Sequence, residues 1–120
     1  MSLEARHILI AEDEAMISMM VEDFLEQLGY ELSGACATGA DCLDVLASGA
    51  RIDGALLDCN LSDGPVWPVA RQLKERGIPF VFASGDNGHG VPADLVGAPV
   101  LGKPYLIDSL EEKLAGLFNG

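Results

Sequence analysis

Glu12, Asp13, Asp58, Ser84 and Lys103 each stand at or just beyond the end of a short apolar run, and between them they carry the parts for handling a group rich in negative oxygens. Carboxylates brought close together repel one another at neutral pH. A hard cation such as Mg²⁺, which takes oxygen ligands and keeps several waters, removes that repulsion. A nearby ammonium and a hydroxyl then complete an acceptor carboxylate, a metal, a cation and a hydrogen-bond donor, the set that phosphoryl transfer uses. Each residue alone also has an ordinary structural role. Glu12 and Asp13 suit the start of a helix, Asp58 and Ser84-Gly85 suit turns at strand ends, and Lys103 suits a solvated surface. Their joint occurrence, in order and at successive strand ends, favours function.

The elements that must position these residues alternate regularly. His7-Ile8-Leu9-Ile10-Ala11 is a strand that runs into Glu12-Asp13-Glu14. Ile17, Met20, Val21, Phe24, Leu25 and Leu28 follow at helical spacing, closed by Gly29. Residues 30–36 form a weaker strand, and 40–48 a short helix with Leu43 and Leu46 inward. Gly54-Ala55-Leu56-Leu57-Asp58 is a third strand, apolar until its last residue. The helix that ends at Arg76 has Pro65 and Pro68 near its start, which predicts an irregular first turn. Phe80-Val81-Phe82-Ala83 and Pro99-Val100-Leu101 are the fourth and fifth strands, and Ile107, Leu110, Leu114 and Leu117 mark one face of a closing helix. Residues 85–98 hold four glycines and Pro92, so a fourth helix there is expected to be short or irregular. Strands apolar on both faces, alternating with amphipathic helices, predict a doubly wound α/β domain: a five-stranded parallel sheet with helices on both faces. Ligands in such folds bind beyond the carboxyl ends of the strands, where all five residues fall.

The 120 residues fit one domain, 49% apolar, with a formal charge of −12. The Lys and Arg number seven and are scattered, which argues against a nucleic-acid face. No apolar run approaches the ~18 residues of a membrane span, and the first residues lack a signal-peptide pattern. Cys36, Cys42 and Cys59 have no metal-ligand or redox spacing and suggest reduced thiols in a cytoplasmic protein.

With these residues in place, the sequence resembles the receiver domain of two-component response regulators over residues 8–118. The resemblance rests on Glu12-Asp13, Leu56-Leu57-Asp58-Cys59-Asn60-Leu61 with Asp63-Gly64, Ser84, and Lys103-Pro104-Tyr105. It implies that Asp58 accepts a phosphoryl group from a phosphohistidine of a sensor histidine kinase or a histidine phosphotransfer protein. Asp13, Asp58 and the backbone carbonyl of Asn60 would bind Mg²⁺, with Glu12 helping through water. Ser84 and Lys103 would each take a phosphoryl oxygen, and a cis peptide before Pro104 would orient the lysine. Pro79-Phe80-Val81-Phe82-Ala83-Ser84-Gly85 is similar to the Pro-Phe-x-Phe-Ala-Thr-Gly-Tyr signature of a receiver subgroup frequent in alphaproteobacteria and often single-domain. Ser84 stands for its Thr, Asp86 for its Tyr, and Val100 for the aromatic switch residue usual three positions before the lysine.

The expected protein is a single receiver, residues 1–120 without an output domain, monomeric or weakly dimeric, signalling by protein contact to a downstream partner. It is a phosphoacceptor rather than an enzyme with an external product. Asn60 and Asp86 are expected to admit water and keep the phosphoform short-lived. Met16 and Met19 fall on the outer side of the first helix and suit an adaptable docking contact for the phosphodonor. A phosphate sink or relay intermediate is the main alternative. A phosphorylation-independent binding module leaves the charge cluster unexplained, and a phosphohydrolase would need an Asp where Asn60 stands.

Overall fold

The computed structural model describes residues 5–85, 90–103 and 105–118. Asp86 and Pro104, both singled out above, lie outside the described residues. Five parallel strands form the central sheet: β1 (His7–Ala11), β2 (Glu31–Cys36), β3 (Gly54–Asp58), β4 (Phe80–Ser84) and β5 (Val100–Gly102). Their order is β2-β1-β3-β4-β5. The winding reverses at β1, so the ends of β1 and β3 form the topological switch point.

The helices are α1 (Ala15–Gln27), α2 (Gly39–Ala47), α3 (Trp67–Glu75) and α4 (Ile107–Phe118). Alternation along each strand divides the core in two. Leu9, Ala11, Ala55, Leu57, Phe80 and Phe82 pack with α2 and α3 residues such as Leu46, Val69 and Leu73. Ile8, Ile10, Leu56, Val81, Ala83 and Leu101 pack with Val21 and Leu25 of α1 and with Leu110 and Leu114 of α4. This period-two division of a sheet covered on both faces is why β3 and β4 are buried from end to end.

Several boundaries differ from the sequence expectation. The fifth strand is Val100–Gly102 rather than Pro99–Leu101, because its pairing starts at Phe82↔Val100 and reaches Ser84↔Gly102. In α2 the fully buried position is Cys42 beside Leu46, and Leu43 is only half-buried. The third helix begins at Trp67, with Pro68 in its first turn where no amide hydrogen is needed. Pro65 belongs instead to a two-residue antiparallel pair, Asn60–Leu61 with Gly64–Pro65, that bridges β3 and α3. Between β4 and β5 the described residues form only a 3₁₀ turn, Ala93–Leu95, as the glycines of that segment led us to expect. Among the described residues no helix is long and apolar enough to cross a membrane.

Candidate phosphoacceptor site

Asp58 is the last residue of β3, and strand register fixes its surroundings. It pairs with Ala83 of β4, so Ser84 extends one residue beyond it on the neighbouring strand. Ser84 pairs with Gly102, and the Lys103 amide donates to the Ser84 carbonyl at 2.8 Å. On the other side, β1 delivers Glu12, whose amide donates to the Cys36 carbonyl at the end of β2 (2.9 Å). Main-chain bonds of the sheet therefore carry four of the five residues to one edge.

The side chains then close on one another. The Lys103 ammonium lies 2.8 Å from Glu12 Oε1 and 2.9 Å from Asp58 Oδ2. The second oxygen of Glu12 accepts the Glu14 amide (3.1 Å), and Oδ1 of Asp58 accepts the Asn60 amide (3.2 Å). Glu12 thus holds the Glu14 amide, just before α1, with one oxygen and faces the lysine with the other. Glu12, Asp13 and Asp58 each offer an oxygen within 4.8 Å of the others. Asp13 is exposed while Glu12 and Ser84 are buried, so the cluster opens to solvent on the Asp13 side. Asn60 follows Asp58 by two residues, which puts its main chain beside the cluster.

Burial pushes the Glu12 carboxyl above its ordinary range, against hydrogen bonds from Lys103 and Glu14 that hold it down; the Asp58 charge pushes in the same direction as burial. Burial alone would lower the Lys103 pKa, but the hydrogen bonds and charges of Glu12 and Asp58 outweigh it and raise it. The lysine is therefore a fixed cation at neutral pH. A set of three carboxylates offering hard oxygens around one ammonium fits a divalent cation such as Mg²⁺ by its donor chemistry.

Two residues given no role by sequence reasoning belong to this neighbourhood. Tyr105 is buried beside the cluster; burial, then the Glu12 charge, raise its phenol, with Lys103 opposing. Asp63, in the hairpin after Asp58, accepts the Gly39 amide at 2.8 Å and the Ala40 amide at 3.2 Å. Its carboxylate caps α2 from across the fold, while Thr38 caps the same helix locally through the Asp41 amide (3.1 Å). Those backbone bonds hold the Asp63 carboxyl below its usual range. An Asp followed by a glycine at φ 124° marks a turn in the sequence, but not the helix it caps.

No family model matches the chain. Solved structures do match. The chain is 43% identical to SdrG of Sphingomonas melonis Fr1, with a TM-score of 0.82 over 95% of this chain and 97% of that one. Against the BeF3-activated conformation of SdrG from Pseudomonas melonis Fr1 the identity is 44% and the TM-score 0.79, over 96% and 98% of the two chains. A response regulator receiver protein from Sinorhizobium medicae WSM419 is 33% identical, with a TM-score of 0.82 over 99% and 98%. The transcriptional regulatory protein CrdR of Helicobacter pylori is 31% identical over 95% of this chain. The chain spans 55% of CrdR and 30% of the regulator PhyR of Methylorubrum extorquens, about half or less of these curated relatives. Sharing a third or more of its residues with receiver structures along nearly the full length of both chains, this chain belongs to the response regulator receiver family.

Proposed function

We propose that Asp58 accepts a phosphoryl group from a phosphohistidine of a sensor kinase or phosphotransfer protein, in a Mg²⁺-dependent reaction, and that the phosphorylated surface signals by protein contact. The observation that carries this reading is the Lys103 ammonium bridging Glu12 and Asp58, 2.8 and 2.9 Å away, in an acidic cluster that opens to solvent at Asp13. The determination of SdrG, 44% identical, in a BeF3-activated conformation supports it.

Both oxygens of Asp58 are held, by the Asn60 amide and by Lys103, so the carboxylate is oriented before a donor arrives. An Asp58 oxygen forms the new bond to phosphorus as the phosphorus–nitrogen bond of the donor breaks; the bonding pair goes to that ring nitrogen, and the imidazole, protonated on its other nitrogen, leaves as the neutral base. Positioning and charge neutralisation do most of this work. Lys103 moves its charge from the carboxylates to a phosphoryl oxygen, and the Ser84 hydroxyl is the donor for another. Asp13, Asp58 and the Asn60 carbonyl, with Glu12 through water, would hold Mg²⁺, which when bound neutralises charge on the phosphoryl oxygens. Met16 and Met19, 84% and 66% exposed on α1 near Asp13, form the proposed docking contact for the donor.

The test is to incubate the protein with Mg²⁺ and acetyl phosphate, or with BeF3⁻, and compare wild type with Asp58→Ala. A mass gain of one phosphoryl group that requires both Mg²⁺ and Asp58 is expected. Modification of Asp58→Ala to the wild-type extent, or none in wild type, would defeat the proposal.

A further inference from the structure

The chain from Asp58 to Val66 turns back on itself beside the acidic cluster. The Val66 amide donates to the Cys59 carbonyl (3.0 Å) at the base of the turn, and Asn60 and Leu61 pair with Pro65 and Gly64 above it. Leu61 is buried in the core, while Asn60 is exposed with its amide on Asp58 Oδ1 (3.2 Å). Asp63 stands at the tip, where its two oxygens accept the Gly39 amide (2.8 Å) and the Ala40 amide (3.2 Å). A two-stranded pair is marginal by itself, so the tip takes its place from what it is bonded to. Sheet order makes that attachment a long reach. β2 and β3 flank β1 rather than each other, so a bond from the loop after β3 to the helix after β2 spans two strand spacings, about 10 Å, past the end of β1. β1 is the strand that delivers Glu12 and Asp13. Gly39 is separated by Ala37 and Thr38 alone from Cys36, whose carbonyl takes the Glu12 amide.

We infer, resting on the assignment of the Asn60 carbonyl to Mg²⁺, that Asp63 is a positioning residue for the metal site. Three ties make a closed frame around the end of β1. Ala11 pairs with Leu57 on one side and with Cys36 on the other, and the Asp63 carboxylate joins the hairpin to α2 across both. The frame sets where the Asn60 carbonyl stands relative to the carboxylates of Glu12 and Asp13. Asp63 touches neither the ion nor the phosphoryl group and acts through the hairpin backbone. Because one tie joins the two places, the coupling is reciprocal: an intact cap on α2 favours Mg²⁺ binding, and bound Mg²⁺ favours the cap by the same factor. Thr38 caps the same helix through the Asp41 amide (3.1 Å), from the β2 side, and so supports α2 without reaching the hairpin.

The full chain is titrated with Mg²⁺ by isothermal calorimetry, and amide exchange is followed by nuclear magnetic resonance with and without the ion. Asp63 is exposed, so its variants should fold. Asp63→Ala is expected to bind Mg²⁺ about fivefold more weakly, the low end of coupling between linked sites. Asp63→Asn, which loses the charge but keeps one acceptor oxygen, should fall between it and wild type, and Thr38→Ala should bind as wild type does. Saturating Mg²⁺ should slow exchange at Gly39 and Ala40 in wild type but not in Asp63→Ala. Undiminished affinity in Asp63→Ala, or exchange at the two wild-type amides indifferent to Mg²⁺, would overturn the inference and leave the phosphoacceptor reading intact. So would equal losses in Asp63→Asn and Asp63→Ala, which mark a charge effect, or the same loss in Thr38→Ala, which marks fraying of α2. A wild type that binds no Mg²⁺, or an Asp58→Ala that binds it equally well, would instead remove the metal assignment and the inference with it.

Discussion

Replacing Lys103 by Met removes the one ammonium between Glu12 and Asp58 while keeping most of the side chain's length. The Glu12 side chain is 3% exposed and that of Asp58 12%, so both lose their cation in a site with little water to replace it. Stripping one partner from a fully buried pair costs ~3–5 kcal/mol. The Lys103 side chain is 19% exposed and the cluster opens at Asp13, so solvent screening lowers the expected loss to about 2 kcal/mol. Unfolding entropy near ~2.1 cal/mol/K per residue gives ~0.25 kcal/mol/K over 120 residues, and the melting temperature should fall by about 8 °C. The loss should also depend on pH. The Glu12 carboxyl is raised above its ordinary value of 4.5, so its contribution to stability is complete below that value and is lost as pH rises through the folded one. Without Lys103 the folded value rises further, and the deficit of Lys103→Met should be small in acid and grow towards neutrality. Pairing it with Glu12→Gln should restore part of the loss, because the more buried of the two carboxylates is then neutral and only Asp58 is left without its cation. Urea titrations followed by far-ultraviolet circular dichroism, at about pH 4 and about pH 8, compare all three proteins below the ordinary Glu12 value and well above it. An equal loss at both pH values, or strict additivity in the double variant, would refute the electrostatic account of this site.

Charging the α1 patch with Met16→Glu and Met19→Glu should slow transfer from a phosphohistidine donor by about tenfold, ~1.4 kcal/mol, while leaving labelling by acetyl phosphate unchanged. Stopped-flow comparison of the two donors decides it, and equal loss from both would count against docking there. Asp63→Ala should speed amide exchange at Gly39 and Ala40, since both amides lose their acceptor. The Asp63 carboxyl is depressed, so this stabilisation is present above its ordinary value of 3.8 and is lost as pH falls through the folded one; exchange in wild type and variant should converge there. Gly54→Ala would bring a Cβ to 2.9 Å from Phe118 Cζ. The ring is also stacked under Arg6 at 4.6 Å and beside Tyr30 at 6.2 Å, so it cannot yield freely. A loss of about 1 kcal/mol is expected in thermal unfolding, recovered when Phe118→Leu clears the space.

The sheet and its edge were legible because two periodicities coincide in the sequence. Leu56, Leu57 and their neighbours are apolar on both faces, which only a doubly covered strand needs, and each such run stops at a polar residue. Glu12, Asp58 and Lys103 could be placed together from strand order alone, without any knowledge of rotamers. Contacts that depend on side-chain reach across elements were not legible. Nothing local in Asp63 indicates that it caps a helix starting at Gly39. Tyr105 was noticed only as part of a motif, whereas its burial beside Glu12 and Lys103 comes from the way the chain enters α4. The start of α3 was misjudged for a similar reason, since the hairpin after Asp58 absorbs Pro65 and leaves Pro68 a position that suits it.

Lys103 is tied to Ser84 by a main-chain bond of 2.8 Å, in a strand of only three residues. The spacing of the Lys103 and Ser84 main chains is consequently set by strand register rather than by the packing of the helices. Substitutions in α1 to α4 can accumulate over evolutionary time without altering that separation. Insertions and deletions are another matter. One residue gained or lost between Val100 and Lys103 would turn the lysine to the opposite face of the sheet and remove it from Asp58 altogether. Length change in this part of the chain would be tolerated in the segment before β5, whereas within β5 the reading frame of the hydrogen bonds is itself the functional constraint.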